Sequence, residues 1–145
     1  FSAALKALHS GEIVGVFPEA TISRSFELKE MKSGVARLAQ ESGAPILPTI
    51  IWGSQRIWTK GLPRNFKPAR TPITIAIGEP LEISKEDPID KAMLDLRTSM
   101  DELLSIAQRD YPDAPIGQRW APARLGGKAP TPEMVELERS QRKEI

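Results

Sequence analysis

The sequence contains no cysteine and only one histidine, His9. Without cysteine, these 145 residues cannot form a disulfide framework, a thiolate zinc site or a cysteine nucleophile, and the composition suits a reducing cytosolic setting. Apolar runs are short. None approaches the roughly 18–20 residues that a membrane-spanning helix requires. The pattern of a signal peptide, a basic start followed by an apolar stretch, does not occur in these residues. A peripheral membrane contact remains compatible with this composition.

Acidic residues are missing from one long stretch of the chain. No aspartate or glutamate occurs from residue 42 to residue 78, although the formal net charge of the whole chain is only +1. A positive block on a nearly neutral chain predicts an anionic partner. The cations of this block are Arg56, Lys60, Arg64, Lys67 and Arg70.

The hydrophobic pattern predicts an α/β fold in one compact domain. Residues 1–10 have helical spacing that places Phe1 on the apolar face, and the continuous apolar run at 13–17 is typical of a strand buried on both faces. A helix over 31–42 and a second buried strand over 46–52 follow. Strand, helix and strand predict a parallel βαβ unit with its ligand site beyond the carboxyl ends of the strands.

The second half of the chain divides near residue 110. Residues 73–77 alternate as a third strand, and a long helix with one apolar face runs from 89 to about 109, so we predict a domain over 1–110. Frequent proline and glycine then indicate an irregular tail over 111–145, part of it disordered, with a short helix over 132–142. Because the helical pattern already includes Phe1, we expect the chain to be part of a longer protein.

Three short motifs carry a resemblance to a known family. Residues 17–24 read Phe-Pro-Glu-Ala-Thr-Ile-Ser-Arg, Lys32-Ser33-Gly34 follows, and residues 44–49 read Ala-Pro-Ile-Leu-Pro-Thr. In this order they resemble the Phe-Pro-Glu-Gly-Thr-Arg-Ser-Arg, Phe-Lys-x-Gly and Val-Pro-Ile-Val-Pro-Val elements of the 1-acylglycerol-3-phosphate acyltransferases. The likeness spans roughly residues 1–80 and implies a partial acyltransferase-type sheet covered by helices.

The resemblance implies transfer of a fatty acyl group from acyl-CoA or acyl-carrier protein to a lysophospholipid such as 1-acylglycerol-3-phosphate. No metal or bound organic cofactor is required, because the thioester itself is activated. Such an enzyme works at the inner face of a membrane from the cytoplasmic side, so we expect peripheral association. A strand end that opens into hydroxyls, a guanidinium and backbone N–H groups is suited to phosphate oxygens. We therefore predict substrate contacts from Phe17, Pro18, Glu19, Thr21, Ser23, Arg24, Lys32 and Gly34.

This chain departs from the family pattern in two ways. Ala20 replaces the motif glycine and Ile22 replaces the first arginine, so Arg24 is the candidate to hold the phosphate. The family's general base is the histidine of an Asn-His-x-x-x-x-Asp element. His9 is not that base, because Val14 stands where the aspartate would be. We predict no catalytic residue in this chain, with the histidine and aspartate upstream of Phe1, and no acyl transfer by the 145 residues alone.

Each of these functional interpretations has a structural alternative. Considered without the motif, Glu19 is explained by the capping of a loop, and the loop hydroxyls are explained by hydrogen bonds to their own backbone. Gly34 is explained by a close helix–sheet contact. The basic block around Trp52, Arg56, Trp58 and Lys60 mixes aromatic rings and cations, as membrane-surface anchors do. The alternatives there are a core tryptophan with a solvated loop or, less favoured in the absence of a supporting motif, nucleic-acid binding. The chain as a whole is also compatible with a non-catalytic lipid- or phosphate-binding module.

Overall fold

The structure is a computed structural model that describes residues 1–66 and 70–141. Within these ranges four helices lie at α1 (Ser2–His9), α2 (Gly34–Ser42), α3 (Ile89–Arg109) and α4 (Pro132–Gln141). Two strands lie at β1 (Thr49–Trp52) and β2 (Thr74–Ile77), and single 3-10 turns occupy Ser54–Arg56 and Ala123–Leu125. Lys67 of the basic block and the end of the helix predicted over 132–142 lie outside the described residues.

Phe1 stands just outside the first helix. It is the N-cap of α1, and its carbonyl oxygen accepts a hydrogen bond of 3.0 Å from the N–H of Leu5. Its ring is 60% exposed. The prediction that Phe1 belongs to the helix and its apolar face is therefore wrong, because an N-cap residue contributes its carbonyl to the helix while its own backbone and side chain lie outside the helical path.

The predicted parallel βαβ unit is wrong. In the described residues β1 pairs with β2 in an antiparallel register that sets Thr49 opposite Ile77, and Ile46 forms an isolated antiparallel bridge to Leu81. The 13–17 run forms no strand, and Ile13 and Phe17 are 99% and 84% exposed. A strand is stable only with ladder partners, and the local pattern of apolar residues does not reveal whether a partner is available.

One face of the β1–β2 pair packs on α3. Ile50 and Trp52 point toward the helix and are buried, whereas Ile51, Ile75 and Ile77 on the opposite face are exposed. The prediction that 46–52 is buried on both faces is therefore wrong, although a strand does form within it. The apolar stripe of α3 buries Leu96, Met100 and Leu104, as its spacing predicts.

The described part of the tail folds back onto this core. Tyr111 is buried and makes edge-to-face contacts with Trp52 and Trp120, at centroid distances of 6.5 and 5.5 Å. Such ring pairs stabilise a fold by about 0.5–1.5 kcal/mol beyond their buried area. Gly127 is required farther along, because a Cβ there would lie 2.1 Å from the carbonyl oxygen of Ala121. The tail thereby holds α4 near the first half of the chain.

Candidate functional site

The first two motif elements meet in the structure. The backbone N–H of Lys32 donates to the carbonyl oxygen of Pro18 at 2.9 Å, which closes residues 18–32 into a loop. We call residues 17–34 the motif loop. The Phe-Pro-Glu element and the Lys-Ser-Gly element therefore lie side by side, although more than ten residues separate them in sequence. Their adjacency depends on this loop closure.

Glu19 fastens the loop from within. Its Oε2 accepts a hydrogen bond of 2.9 Å from the N–H of Lys29. The backbone turns tightly beside it, with the N–H of Ala20 donating to the carbonyl oxygen of Phe17 at 3.1 Å and Ala20 at a φ of +54°. This left-handed conformation favours glycine, which explains physically why the family motif has glycine where this chain has Ala20.

The serine hydroxyls of the loop bond locally. Ser23 Oγ donates to the carbonyl oxygen of Glu27 at 2.7 Å and lies 3.2 Å from Ser25 Oγ. Phe26 follows with a φ of +59° and inserts its ring into the core. Ser23 thus shapes the turn that anchors the loop, as loop hydroxyls commonly do. Its predicted contact with substrate stays a prediction.

Arg97 of α3 holds the far side of the motif loop, and no sequence signal singled it out. Its Nη1 donates to the carbonyl oxygen of Lys29 at 2.7 Å and its Nη2 to that of Leu28 at 3.2 Å. The same guanidinium pairs with Asp101 one turn along the helix. In sequence Arg97 is one of several charges on the polar face of a helix, and only the fold places it against residues nearly 70 positions away.

Arg24 lies between the tail and the basic block. Its Nη1 forms an ion pair with Oε2 of Glu138 on α4, and the Arg24 side chain is 27% exposed. Its Nε lies 3.5 Å from the position that a Cβ would occupy at Gly61. The motif arginine therefore remains partly open to solvent and already holds a carboxylate.

The remaining predicted substrate contacts lie at the surface of the motif loop. Thr21 and Lys32 are exposed, so their hydroxyl and ammonium groups face solvent, and Pro18 is half-buried. Gly34 begins α2 and has open space where a Cβ would stand. The expectation that Gly34 makes a close helix–sheet contact is therefore wrong, because a Cβ at this position would meet no atom of another element within 4 Å.

Two residues of the predicted membrane contact make contacts within the fold. Trp52 is 4% exposed and packs in the core. Arg56 stacks over Trp120 at 4.6 Å, forms an ion pair with Asp113 and donates to the Tyr111 hydroxyl at 3.0 Å. Partial burial lowers the Arg56 pKa, but the hydrogen bonds to Asp113 and Tyr111 outweigh it and leave the pKa raised. As a membrane contact Trp52 is wrong, because its side chain is buried in the core, whereas the predicted contact of the partly exposed Arg56 stays a prediction.

The other two residues of the predicted membrane contact are exposed. Trp58 is 61% exposed, and the Arg64 guanidinium stacks over its ring at 4.7 Å. Lys60 and Phe66 are exposed on the same connection between β1 and β2. These residues, which we call the surface loop, present aromatic rings and cations to solvent beside Arg24.

His9 is the last residue of α1 and lies exposed in its final turn. A histidine at a helix C-terminus is favoured by the helix dipole. It lies outside the motif loop. The histidine and aspartate expected upstream of Phe1 fall outside the sequence and stay a prediction. No described helix is long and apolar enough to cross a bilayer.

Comparisons with known proteins were consistent with the motifs. A sequence model of the Acyltransferase family matches residues 1–52. The chain is similar to a 1-acyl-sn-glycerol-3-phosphate acyltransferase of Limnanthes douglasii, with 38% identity over 66 residues, which cover 46% of this chain and 22% of the relative. A protein of the same name from Borreliella burgdorferi is 29% identical over 59 residues, covering 41% of this chain and 24% of the relative.

The matched part is a limited share of each protein. A third relative with the same name, from Limnanthes alba, is 36% identical over 66 residues, or 46% of this chain and 22% of its own length. The aligned residues thus span less than a quarter of the curated relatives. No solved structure matches. The match at residues 1–52 and the similarity to these relatives confirm the resemblance that the motif residues indicated.

Proposed function

We propose that the full-length protein transfers a fatty acyl group from acyl-CoA or acyl-carrier protein to the free hydroxyl of a lysophospholipid such as 1-acylglycerol-3-phosphate. The names of three relatives support this acceptor. In the reaction the acceptor oxygen attacks the thioester carbonyl carbon, an oxygen–carbon bond forms, and the carbon–sulfur bond breaks to release the thiol. A general base takes the hydroxyl proton. We expect that base from a segment upstream of Phe1.

This chain supplies the acceptor side of the site in our proposal. The observation that carries it is the Lys32 to Pro18 hydrogen bond, because it brings the two motif elements together on one loop. Arg24 and Lys32 then offer a planar guanidinium and an ammonium to phosphate oxygens, and Thr21 offers a hydroxyl. Glu19 has a positioning role, since its carboxylate accepts the Lys29 N–H.

The surface loop is the proposed membrane contact. Trp58 and Phe66 are apolar and exposed, and the cations Lys60 and Arg64 lie near them in sequence. Aromatic rings favour headgroup depth, and each basic side chain near anionic lipid gains about 1 kcal/mol. Since Gly61 on this loop lies beside Arg24, a lipid acceptor held at the loop would have its headgroup near the motif arginine. We propose peripheral association with the cytoplasmic face on this basis.

The proposal is tested by thiol release from acyl-CoA with lysophosphatidate as acceptor, using the full-length protein. Arg24→Ala should lower kcat/KM by roughly 10- to 100-fold, since a hydrogen bond to a charged group contributes about 1.5–3 kcal/mol. Arg37→Ala is the matched control, because Arg37 is an exposed arginine on neighbouring α2. Glu19→Gln should lower activity less, because its amide oxygen still accepts from Lys29. Equal effects of the two arginine variants would remove Arg24 from the site.

A non-catalytic binding module is the competing function. It has a specific motivation: Ile22 stands in place of the motif arginine and is exposed, so one phosphate contact of the family is missing. Binding to vesicles that contain phosphatidate, without thiol release by the full-length protein, would establish the module and refute the enzyme. We also expect the 145-residue chain alone to release no thiol, and turnover from it would contradict the placement of the base elsewhere.

A further inference from the structure

Two ion pairs hold the tail against the motif loop, and the positive side chain belongs to the loop in one pair and to the tail in the other. Arg24 of the loop pairs with Glu138 of α4. Glu27 of the loop pairs with Arg124 of the tail, whose Nε lies 2.7 Å from Oε1 of the carboxylate. Arg124 also donates to Gln108 at the end of α3. The Arg124 contacts fix the tail to both the loop and the core, and so they bring α4 to Arg24.

α4 itself is held weakly. None of its described residues is buried, and the two large apolar side chains Met134 and Leu137 are 55% and 60% exposed. Burial of such side chains is the main source of helix attachment in proteins, so α4 gains little from packing. The ion pair between Glu138 and Arg24, in which both side chains are partly exposed, joins α4 to the loop. The free-energy difference between the paired and unpaired states of such an ion pair is small.

A carboxylate on Arg24 occupies the position that an anionic ligand would need. Guanidinium groups bind carboxylate and phosphate oxygens with the same donors and similar geometry. We propose that α4 is an intramolecular latch, in which Glu138 competes with the phosphate of the acceptor for Arg24 and must leave before the phosphate binds. The latch rests on the proposed phosphate contact of Arg24. It adds a regulatory step, since whatever draws α4 away from the loop raises the affinity for the headgroup.

The test is an NMR titration of the isotopically labelled 145-residue chain with inorganic phosphate, following the Arg24 side-chain Nε–H resonance and the backbone amides of the motif loop. Glu138→Gln should bind phosphate about two- to sixfold more tightly than the wild-type chain. This is the gain in affinity expected when a partly exposed ion pair that competes with the ligand is removed. Glu138→Ala, which removes both acceptor oxygens, should do so at least as strongly. Since α4 buries no described residue, both variants should retain the wild-type amide spectrum outside α4 and the part of the motif loop around Arg24.

Glu136→Gln is the matched control. It removes the same charge from the same helix, but Glu136 is 66% exposed and pairs within α4 with Arg139. It should bind phosphate as the wild-type chain does. An equal gain from Glu136→Gln would show a general charge effect and overturn the latch.

Arg24→Ala separates the latch from the proposed function. If Arg24→Ala abolishes phosphate binding but Glu138→Gln leaves it unchanged, the latch is wrong and the phosphate contact of Arg24 stands. If Arg24→Ala binds phosphate as tightly as the wild-type chain, the phosphate contact of Arg24 and the latch are both wrong. In the double variant Arg24→Ala, Glu138→Gln, the gain seen with Glu138→Gln alone should disappear.

Discussion

Replacing Ala20 with glycine should stabilise the motif loop. Ala20 lies at a φ of +54° in the turn that Phe17 closes. An L-residue in the left-handed region costs roughly 1–2 kcal/mol relative to the right-handed region, a cost that glycine does not have. Against this, glycine loses about 0.4–1 kcal/mol more backbone entropy on folding than alanine. The difference predicts a net stabilisation between about 0 and 1.6 kcal/mol, centred near 0.8 kcal/mol.

Two measurements detect this change. Urea unfolding should give a higher midpoint for Ala20→Gly, with an unchanged slope. Amide hydrogen exchange should slow at Lys29 and Lys32, because their N–H groups bond Glu19 and Pro18 across the loop. If these amides exchange by local opening, a gain near 0.8 kcal/mol corresponds to about fourfold greater protection.

Ala7→Gly supplies the control with the opposite sign. Ala7 lies in α1, where glycine costs roughly 1 kcal/mol relative to alanine. The same chemical change should therefore stabilise at position 20 and destabilise at position 7. If Ala20→Gly lowers the urea midpoint as Ala7→Gly does, the turn does not have the left-handed geometry, and the physical reason given for the family's glycine is refuted.

Three further predictions concern the tail and α2. Tyr111→Phe should destabilise the chain by about 1 kcal/mol in urea unfolding, because the hydroxyl donates to the partly buried carbonyl oxygen of Pro72 at 2.7 Å and that hydrogen bond would be lost; an unchanged midpoint would contradict the docked tail. Gly34→Ala should leave the midpoint unchanged or raise it, since a Cβ there meets open space, and a loss above about 1 kcal/mol would restore a packing role. The Glu133 pKa is lowered by the hydrogen bond from the Thr131 hydroxyl and by the backbone N–H of Glu133 itself. The ionised Glu133 carboxylate therefore stabilises α4 above the ordinary carboxylate pKa, and this stabilisation is lost as the pH falls through the lowered pKa. Carbon-13 shifts of α4 should report fraying in acid, and Glu133→Gln should remove that pH dependence.

The local elements of this fold were largely predictable. α1, α3 and β2 lie close to the predicted ranges, because helical spacing, strand alternation and turn residues act within a few residues of one another. α2 ends before Gly43, which is left-handed at a φ of +71°, as a helix stop of this type predicts. The partnership between strands was not predictable, since an apolar run at 13–17 looks the same whether or not another strand lies beside it.

The sequence alone determined the motif order, and with it the resemblance to the acyltransferases, because Phe17 to Arg24 and Lys32 to Gly34 are short patterns whose chemistry is local. It did not reveal that Arg97 supports the motif loop, that Trp52 and Arg56 are engaged in the fold, or that Glu138 meets Arg24. Each of these is a contact that a charged or aromatic side chain makes with a residue far away in the chain, and such side chains have the same appearance in sequence whether they face solvent or a partner. Tertiary structure decides their roles, because long-range contacts depend on how the whole chain closes.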